Sequence, residues 1–280
     1  MRFLRMNGAG NAFILIDARG AGGRLAPARE AVAGLAADHP FDQLLALEDD
    51  PGADARLRVW NRDGGEVGAC GNGARAASWL IFQDSRADRL TLASLGGALS
   101  ARRVGGEEAE VDLGPARLDW REIPLARAMD TVRLDFGVDL PGGGRLAGPG
   151  AVSLGNPHCV FFVDDVEALP LDEIGPKVEH DPLFPERVNA GFAQIRGDEI
   201  RLRVHERGAG LTQACGTGAA AALVAAHRQG RIAREAVILA DGGRLPVRWD
   251  ARGHVHLSGP VELEGGYAPP DGLADAFKPD

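Results

Sequence analysis

Lysine is nearly absent from this 280-residue sequence, which contains only Lys177 and Lys278. This scarcity argues against Schiff-base chemistry and against a P-loop, since each requires a suitably placed lysine. Cysteine is also scarce. The three cysteines lie far apart and form no Cys-x-x-Cys pair, which argues against a disulfide framework and a zinc cluster. We therefore expect a reducing, cytoplasmic environment in which the thiols are available for chemistry.

Long apolar stretches and excess positive charge are missing as well. No run approaches the length of a membrane-spanning helix, and the N-terminal residues lack the continuous apolar segment of a signal peptide. The net charge of -9 argues against nucleic acid or an anionic membrane as the main partner. A hydrophobic content of 45% and a charged content of 25% are typical of a soluble globular enzyme, and 280 residues predict two domains.

The sequence contains an internal repeat. Residues 56–77 read RLRVWNRDGGEVGACGNGARAA and residues 201–222 read RLRVHERGAGLTQACGTGAAAA, with 13 identities in 22 aligned positions. The same offset of 145 residues relates two shorter motifs, Gly10-Asn11 to Gly155-Asn156 and Gly114-Pro115 to Gly259-Pro260. A match of this extent at a constant offset indicates two copies of one fold.

Each copy shows the same local pattern. A strand with alternating apolar residues leads into a glycine-rich loop, which ends at Cys-Gly-x-Gly before an alanine-rich segment. Because alanine favours helix strongly and glycine permits a tight entry, we predict helices over 74–82 and 219–227. Cys70 and Cys215 are therefore expected at helix N-termini.

Gly-Gly turns after each helix indicate antiparallel meanders. We predict an α+β fold of two pseudo-symmetric domains, each a curved antiparallel sheet around a central helix. The first domain covers residues 1–116 and the second covers 117–260, while residues 261–280 return to the first. A loop rich in glycine and proline at 140–150 has no repeat partner.

The duplicated cysteines indicate chemistry. A single cysteine in a glycine-rich turn is more often a buried small residue, but two at equivalent points of a repeat favour a catalytic pair. A helix N-terminus lowers the pKa of a thiol and binds a carboxylate through free N–H groups. If the halves face one another about a pseudo-twofold axis, Cys70 and Cys215 flank one α-carbon. One thiolate then removes the α-proton and the opposite thiol protonates the other face, with no cofactor and no metal.

Cys159 serves as the comparison for this pair. Its counterpart at the same offset is Ile14, and it begins the apolar run Cys159-Val-Phe-Phe-Val. We therefore expect Cys159 to lie in the core.

Four segments resemble the diaminopimelate epimerases, in order and across nearly the whole chain: MNGAGNAFILID, NRDGGEVGACGNGARAA, GNPHCVFFVDD and ERGAGLTQACGTGAAAA. The resemblance implies two pseudo-symmetric α+β domains with the active site in the cleft between them. It implies interconversion of LL- and meso-2,6-diaminopimelate, a step that leads to lysine and to peptidoglycan cross-links. It also implies a homodimer.

The resemblance assigns a role to each matching residue. Cys70 and Cys215 become the proton acceptor and donor, while His158, with Glu206, tunes the thiols or orients the substrate. Backbone N–H groups that would hold the reacting carboxylate belong to Gly71, Asn72, Gly216 and Thr217. Side chains that would surround the rest of the substrate are Asn11, Gln43, Asn61, Asn156, Asn189, Glu206 and Arg207. One arginine, one glutamate and several amides match a ligand with two ammonium and two carboxylate groups.

The chain departs from the usual family pattern at four places. Asn7 stands where His is usual, Ala12 stands near a usual acidic residue, and Leu211 replaces a usual Glu. Residues 38–42 replace a Gly-x-Gly segment that usually precedes the position of Gln43. The loop that leads to Gln43 therefore differs from the family pattern.

Other functions fit parts of the sequence. A proline or hydroxyproline racemase would use the same two cysteines but needs fewer polar contacts away from the α-carbon. A dinucleotide-binding protein would explain Gly71-x-Gly73 before a helix, yet the βαβ alternation is missing. A thiol hydrolase using Cys215 and His158 would leave the second matched cysteine unexplained. A non-catalytic binding protein would lose no activity when Cys70 is replaced.

Overall fold

The computed structural model describes residues 1–68, 70–269 and 274–277. The chain divides into two compact units, unit 1 comprising Met1–Asp112 with Ser258–Asp280 and unit 2 comprising Leu113–Leu257. No helix in the described part of the chain is long and apolar enough to span a membrane.

Most strands of unit 1 pair with antiparallel neighbours. Two pairs run parallel: Asn11–Asp17 with Gln43–Glu48, and Ala55–Asn61 with Arg89–Ser94. The elements up to the first boundary are β1 (Arg2–Gly8), β2 (Asn11–Asp17), α1 (Arg29–Asp38), β3 (Gln43–Glu48), β4 (Ala55–Asn61), β5 (Glu66–Val67), α2 (Gly71–Asp84), β6 (Arg89–Ser94), β7 (Gly97–Gly105) and β8 (Glu108–Pro115). Helix α2 packs against β1, β3 and β7, so it is the central helix of this unit.

Unit 2 repeats the pairing scheme. Here the parallel pairs are Pro157–Phe162 with Asn189–Arg196 and Glu199–Glu206 with Glu235–Ala240, and the other pairs are antiparallel. The elements are β9 (Gly137–Asp139), β10 (Arg145–Ala147), β11 (Gly150–Ser153), β12 (Pro157–Phe162), α3 (Leu171–Glu179), β13 (Asn189–Arg196), β14 (Glu199–Glu206), β15 (Gly210–Thr212), α4 (Gly216–Arg228), β16 (Glu235–Ala240), β17 (Gly243–Trp249) and β18 (His254–Pro260). Helix α4 packs against β11, β12 and β17. The predicted α+β class with two related halves is confirmed, with mixed rather than purely antiparallel sheets.

The C-terminal segment belongs to unit 1. Strand β19 (Glu262–Gly266) pairs with β1, and the Tyr267 N–H donates to the Phe3 carbonyl at 2.8 Å. Phe277 is buried in the core of unit 1, with its ring 6.4 Å from that of Phe3. The unit boundaries fall inside β8 and β18, a few residues before the ends of the repeated segments.

Both central helices begin three residues before the predicted start, because Cys-Gly-x-Gly itself forms the first turn. In each helix the cysteine is the N-cap residue, and its extended backbone turns directly into the helix. Helix α2 is buried from Gly71 to Phe82, and α4 is buried through most of its length. Alanine provides helix propensity without bulk, so the sheet can approach each helix closely.

The approach is tightest at Gly150 in β11. A Cβ atom at this position would lie 2.8 Å from the Cβ atom of Ala225 in α4. We predict that Gly150→Ala lowers the free energy of unfolding by about 1–3 kcal/mol, because overpacking must displace the helix. Denaturant unfolding monitored by circular dichroism measures this change.

Gly142→Ala is the matched control, since a Cβ atom there meets no atom within 4 Å. It should leave stability within about 0.5 kcal/mol of the parent. Equal stability of the two variants would show that α4 and β11 are not closely packed.

Candidate active site

The two cysteine sulfurs accept equivalent hydrogen bonds in their respective units. Cys70 Sγ accepts a hydrogen bond from the Gly73 N–H, and Cys215 Sγ accepts one from the Gly218 N–H, each at 3.3 Å. A Cβ atom at Gly218 would lie 3.2 Å from Cys215 Sγ and 3.0 Å from a Val204 methyl group. The second glycine of each motif therefore lets the sulfur approach the helix end.

An asparagine contact is also duplicated. Asn72 Nδ2 donates to Asn11 Oδ1 at 2.5 Å, and Asn156 Nδ2 donates to Thr217 Oγ1 at 3.2 Å. Asn11 and Asn156 are repeat equivalents, as are Asn72 and Thr217. In each unit, therefore, an asparagine that the sequence predicts to bind substrate forms a hydrogen bond with the residue two positions after the cysteine.

A third duplicated feature lies where two strands pair. Gln43 is opposite Asn61, and its Nε2 donates to Asn61 Oδ1 at 3.1 Å. In unit 2, Ala190 pairs with His205, so Asn189 is opposite Glu206. Gln43 and Asn189 thus occupy equivalent positions, as do Asn61 and Glu206.

Asn189 is buried, and its amide already bonds to backbone on both sides. Its Oδ1 accepts from the Arg207 N–H at 2.9 Å, and its Nδ2 donates to the Pro157 carbonyl at 3.0 Å. This side chain therefore positions the Glu206-Arg207 turn, and its predicted substrate contact stays a prediction. The Arg207 guanidinium donates to the Glu186 carbonyl at 2.9 Å.

The expected pKa shift is wrong for Cys215. Burial of the thiol raises its pKa well above the ordinary value, and the Glu206 carboxylate raises it further. Hydrogen bonds from Thr217 and the Gly218 N–H act in the opposite direction but are weaker. Burial and the Glu206 carboxylate thus act on the Cys215 thiol against the effect expected of a helix N-terminus.

Cys159 lies in the core of unit 2, as predicted. Burial raises the pKa of its thiol, which makes the sulfur inert.

His158 is fully buried and acts through Asn156. Its Nε2 lies 3.1 Å from Asn156 Oδ1, so Nε2 carries the proton and donates. Burial, reinforced by the positive charge of Arg207, lowers the pKa of His158 to about 3. The neutral ring thereby orients the Asn156 amide so that its Nδ2 points to Thr217.

Three residues to which the sequence analysis assigns no role, Glu179, His205 and Arg75, are also buried near these groups. The buried Glu179 carboxylate lies 2.9 Å from His205 Nε2 and accepts from the Gly208 N–H at 2.9 Å, which supports the Glu206-Arg207 turn. Arg75 in α2 is completely buried. Its equivalent is Ala220, and this single charge within an otherwise apolar repeated block is the signal that could have revealed it. Glu179 and His205 have no such signal.

Three of the four departures from the family pattern, at Asn7, Ala12 and residues 38–42, lie in hydrogen-bonded turns. Asn7 Oδ1 accepts the Gly10 N–H at 2.9 Å and closes the β1–β2 turn. Asp42 Oδ2 accepts the Ala12 N–H at 2.9 Å and lies 3.5 Å from Asn11 Nδ2. Residues 38–42 therefore end in a carboxylate that ties this segment to β2, and Gln43 follows at the start of β3.

The chain is similar to known proteins over nearly its whole length. The family model described as diaminopimelate epimerase matches residues 3–118 and 150–264. The chain belongs to this family. It is 51% identical over 264 residues to the diaminopimelate epimerase of Phenylobacterium zucineum, with 94% of this chain and 95% of the relative covered.

Two solved structures show the fold alone. A Pseudomonas aeruginosa protein described as an epimerase superposes with a TM-score of 0.68 at 19% identity, over 96% of this chain and 99% of the other. A probable proline racemase from Agrobacterium radiobacter gives a TM-score of 0.65 at 16% identity, over 98% and 95%. The probable proline racemase thus shares the fold of this chain but is distant from it in sequence.

His158 predicts a dependence of stability on pH. Its folded-state pKa is lowered, so its contribution is present above the unfolded-state pKa near 6.5 and is lost as pH falls toward 3. The free energy of unfolding should fall by up to about 1.4 kcal/mol per pH unit from this residue between pH 6 and 4. Urea unfolding at several pH values measures the slope, and His158→Gln should flatten it. Identical slopes in both proteins would contradict the assignment.

Proposed function

We propose that this protein is a diaminopimelate epimerase, an isomerase that interconverts LL- and meso-2,6-diaminopimelate. The observation that carries the proposal is the pair of cysteines that cap equivalent helices in a chain whose family match covers both units. The identity of 51% to a diaminopimelate epimerase over nearly the full length of both chains supports the same substrate.

The reaction requires two proton transfers on opposite faces of one α-carbon. One sulfur, as thiolate, takes the α-proton: the Cα–H bond breaks, an S–H bond forms, and the electron pair passes into the carboxylate as an enediolate. The other sulfur, as thiol, gives its proton to the opposite face and becomes the thiolate. Nothing is oxidised or reduced, so two thiols in different protonation states suffice.

Stabilisation of the enediolate is assigned to the helix ends. The N–H groups of Gly71, Asn72, Gly216 and Thr217 belong to first helical turns, where backbone donors have no partner within the helix. Negative charge that grows on the carboxylate during proton removal favours these donors most in the transition state. The glycines leave the approach to the helix ends open.

The rest of the substrate is assigned to polar side chains of the two units. Arg207 matches the distal carboxylate, since its guanidinium can form two parallel hydrogen bonds. Glu206 matches an ammonium group. Amides with both donors and acceptors complete the set: Asn11, Gln43, Asn61, Asn156 and Asn189.

Further properties follow from the proposed activity. We propose a homodimer in the cytoplasm that acts in lysine and peptidoglycan precursor synthesis without pyridoxal phosphate. Lys177 is near the end of α3, and Lys278 lies outside the described residues. Among the residues that the structure describes, no cluster of His, Cys, Asp and Glu could hold a metal ion.

Replacement of either catalytic thiol tests the mechanism. Cys70→Ser and Cys215→Ser should each reduce epimerisation by several orders of magnitude, because a serine hydroxyl is far too weak an acid to supply the conjugate base. The assay follows both stereoisomers and α-deuterium incorporation from LL-diaminopimelate in deuterated water. Cys159→Ser is the control, and an equal loss in that variant would mean that the pair is misassigned.

Substrate identity is tested at Arg207. Arg207→Lys keeps the charge but loses the planar fork, so transition-state binding should weaken by about 2–3 kcal/mol, roughly a thirty- to hundredfold loss in kcat/KM. Lysine lacks the distal carboxylate and proline lacks the whole distal arm, so the parent enzyme should turn over both poorly. Proline reacting as well as diaminopimelate would favour the racemase instead.

A further inference from the structure

Glu179, the last residue of α3, carries a buried carboxylate that the mechanism above does not use. Its Oε2 lies 2.9 Å from His205 Nε2, and its Oε1 accepts the Gly208 N–H at 2.9 Å. Because an ionised carboxylate can only accept, the His205 Nε2 carries the proton and donates. Arg187 Nη1 also donates to Oε1, at 3.3 Å. Both oxygens of this buried charge are therefore satisfied, as burial of a carboxylate requires.

The first two donors lie on either side of the Glu206-Arg207 dipeptide. His205 precedes it at the end of β14, and Gly208 follows it in the turn to β15. One carboxylate thus holds the chain at both ends of the two residues that the proposed function assigns to the substrate. Between these points the Arg207 N–H donates to Asn189 Oδ1 at 2.9 Å. The backbone of this dipeptide is therefore fixed by buried side chains from α3 and β13.

Close packing keeps His205 on Glu179. A Cβ atom at Gly175 in α3 would lie 2.5 Å from His205 Cγ, so the helix lies directly against the imidazole ring. His205 is itself buried. The ring therefore cannot turn away from the carboxylate without displacing α3.

The hydrogen bonds keep Glu179 ionised. Burial acts to raise the pKa of Glu179, but the bonds from the Gly208 N–H and His205 lower it, and the net pKa lies below the ordinary value. A charged acceptor forms shorter and stronger hydrogen bonds than a neutral one, and a buried position strengthens them further.

The equivalent turn in unit 1, residues 61–65, is held differently. Asp63 stands at the position of Gly208, and its Oδ1 accepts the Gly65 N–H at 2.9 Å. Arg29 of α1 donates to Asp63 Oδ2 at 2.5 Å, and both side chains are more than 60% exposed. Unit 1 thus holds this turn through exposed groups. A buried carboxylate from the preceding helix holds it in unit 2, where the turn carries the Glu-Arg pair.

We propose that Glu179 is a positioning residue that holds Glu206 and Arg207 in the arrangement that binds the substrate. This assignment rests on the proposed function. A turn that is fixed before the substrate arrives loses less conformational entropy on binding, so affinity is higher. Glu179 therefore contributes to substrate affinity through the turn, without contact to the reacting atoms.

Hydrogen exchange of single amides, followed by mass spectrometry on the full-length protein, tests the contact without substrate. In the parent protein the Gly208 amide should exchange at least tenfold more slowly than the Asp63 amide of the exposed turn. Glu179→Met removes both acceptors and should speed Gly208 exchange at least tenfold, while Glu179→Gln should keep most of the protection because its amide oxygen still accepts. Equal rates for Gly208 and Asp63 in the parent, or an unchanged Gly208 rate in folded Glu179→Met, would overturn the proposal.

Steady-state kinetics with diaminopimelate test the effect on the substrate. Glu179→Met should raise KM roughly ten- to hundredfold and change kcat less than about threefold, because the lost positioning weakens ground-state and transition-state binding alike. Glu179→Gln should restore most of the affinity. An unchanged KM, or a loss in kcat as large as the rise in KM, contradicts the assignment. His205→Phe removes one of the two bonds and serves if Glu179→Met does not fold; an unchanged KM in that variant is equally contrary.

Two controls separate positioning from general loosening. Arg29→Met breaks the exposed contact at the equivalent turn of unit 1 and should leave Gly208 exchange unchanged. Gly150→Ala destabilises unit 2 away from the turn, and it should leave KM within about threefold of the parent. A rise in KM equal to that of Glu179→Met would show that any loosening of unit 2 suffices. If the parent does not turn over diaminopimelate while Gly208 protection depends on Glu179, the proposed function fails and the assignment of Glu179 to the turn stands.

Discussion

A backbone N–H group bonded to a cysteine sulfur organises each half of this chain. The bond from Gly73 to Cys70, and its equivalent from Gly218 to Cys215, places a sulfur at the end of a buried helix. A side chain at Gly218 would crowd the sulfur, and one at Gly73 would first meet a methyl group of Leu45. The alanine-rich helix lets the sheet pack closely around it, and each helix is buried over most of its length.

Duplication supplies two such ends, and acid–base chemistry needs their two sulfurs in different protonation states. A proton acceptor and a proton donor must differ in protonation state when the substrate arrives. The units differ in charge or polarity at three pairs of equivalent positions: Asn61 and Glu206, Asn72 and Thr217, Arg75 and Ala220. Each substitution changes charge or hydrogen-bonding capacity while the backbone scheme is kept. The two units therefore share one backbone scheme but differ in their electrostatics.

The sequence predicts the frame well because the frame is local and repeated. The repeat locates both cysteines at helix starts, and the apolar run around Cys159 predicts its burial. The equivalence of Gln43 and Asn189 is not evident from the repeat, because one extra residue before β13 changes the offset from 145 to 146 where identity has faded. The pKa of Cys215 and the contact between Glu179 and His205 depend on which distant residues pack together, and no local pattern encodes that packing.

The raised pKa of Cys215 also constrains how a thiolate can arise at all. Helix N-termini are present beside both sulfurs, so they cannot decide which sulfur is ionised. In the proposed mechanism the same N–H groups bind the substrate carboxylate, and a bound anion offsets much of the positive potential that they offer to a thiolate. The charge that keeps one sulfur ionised must therefore come from a group that the carboxylate does not occupy.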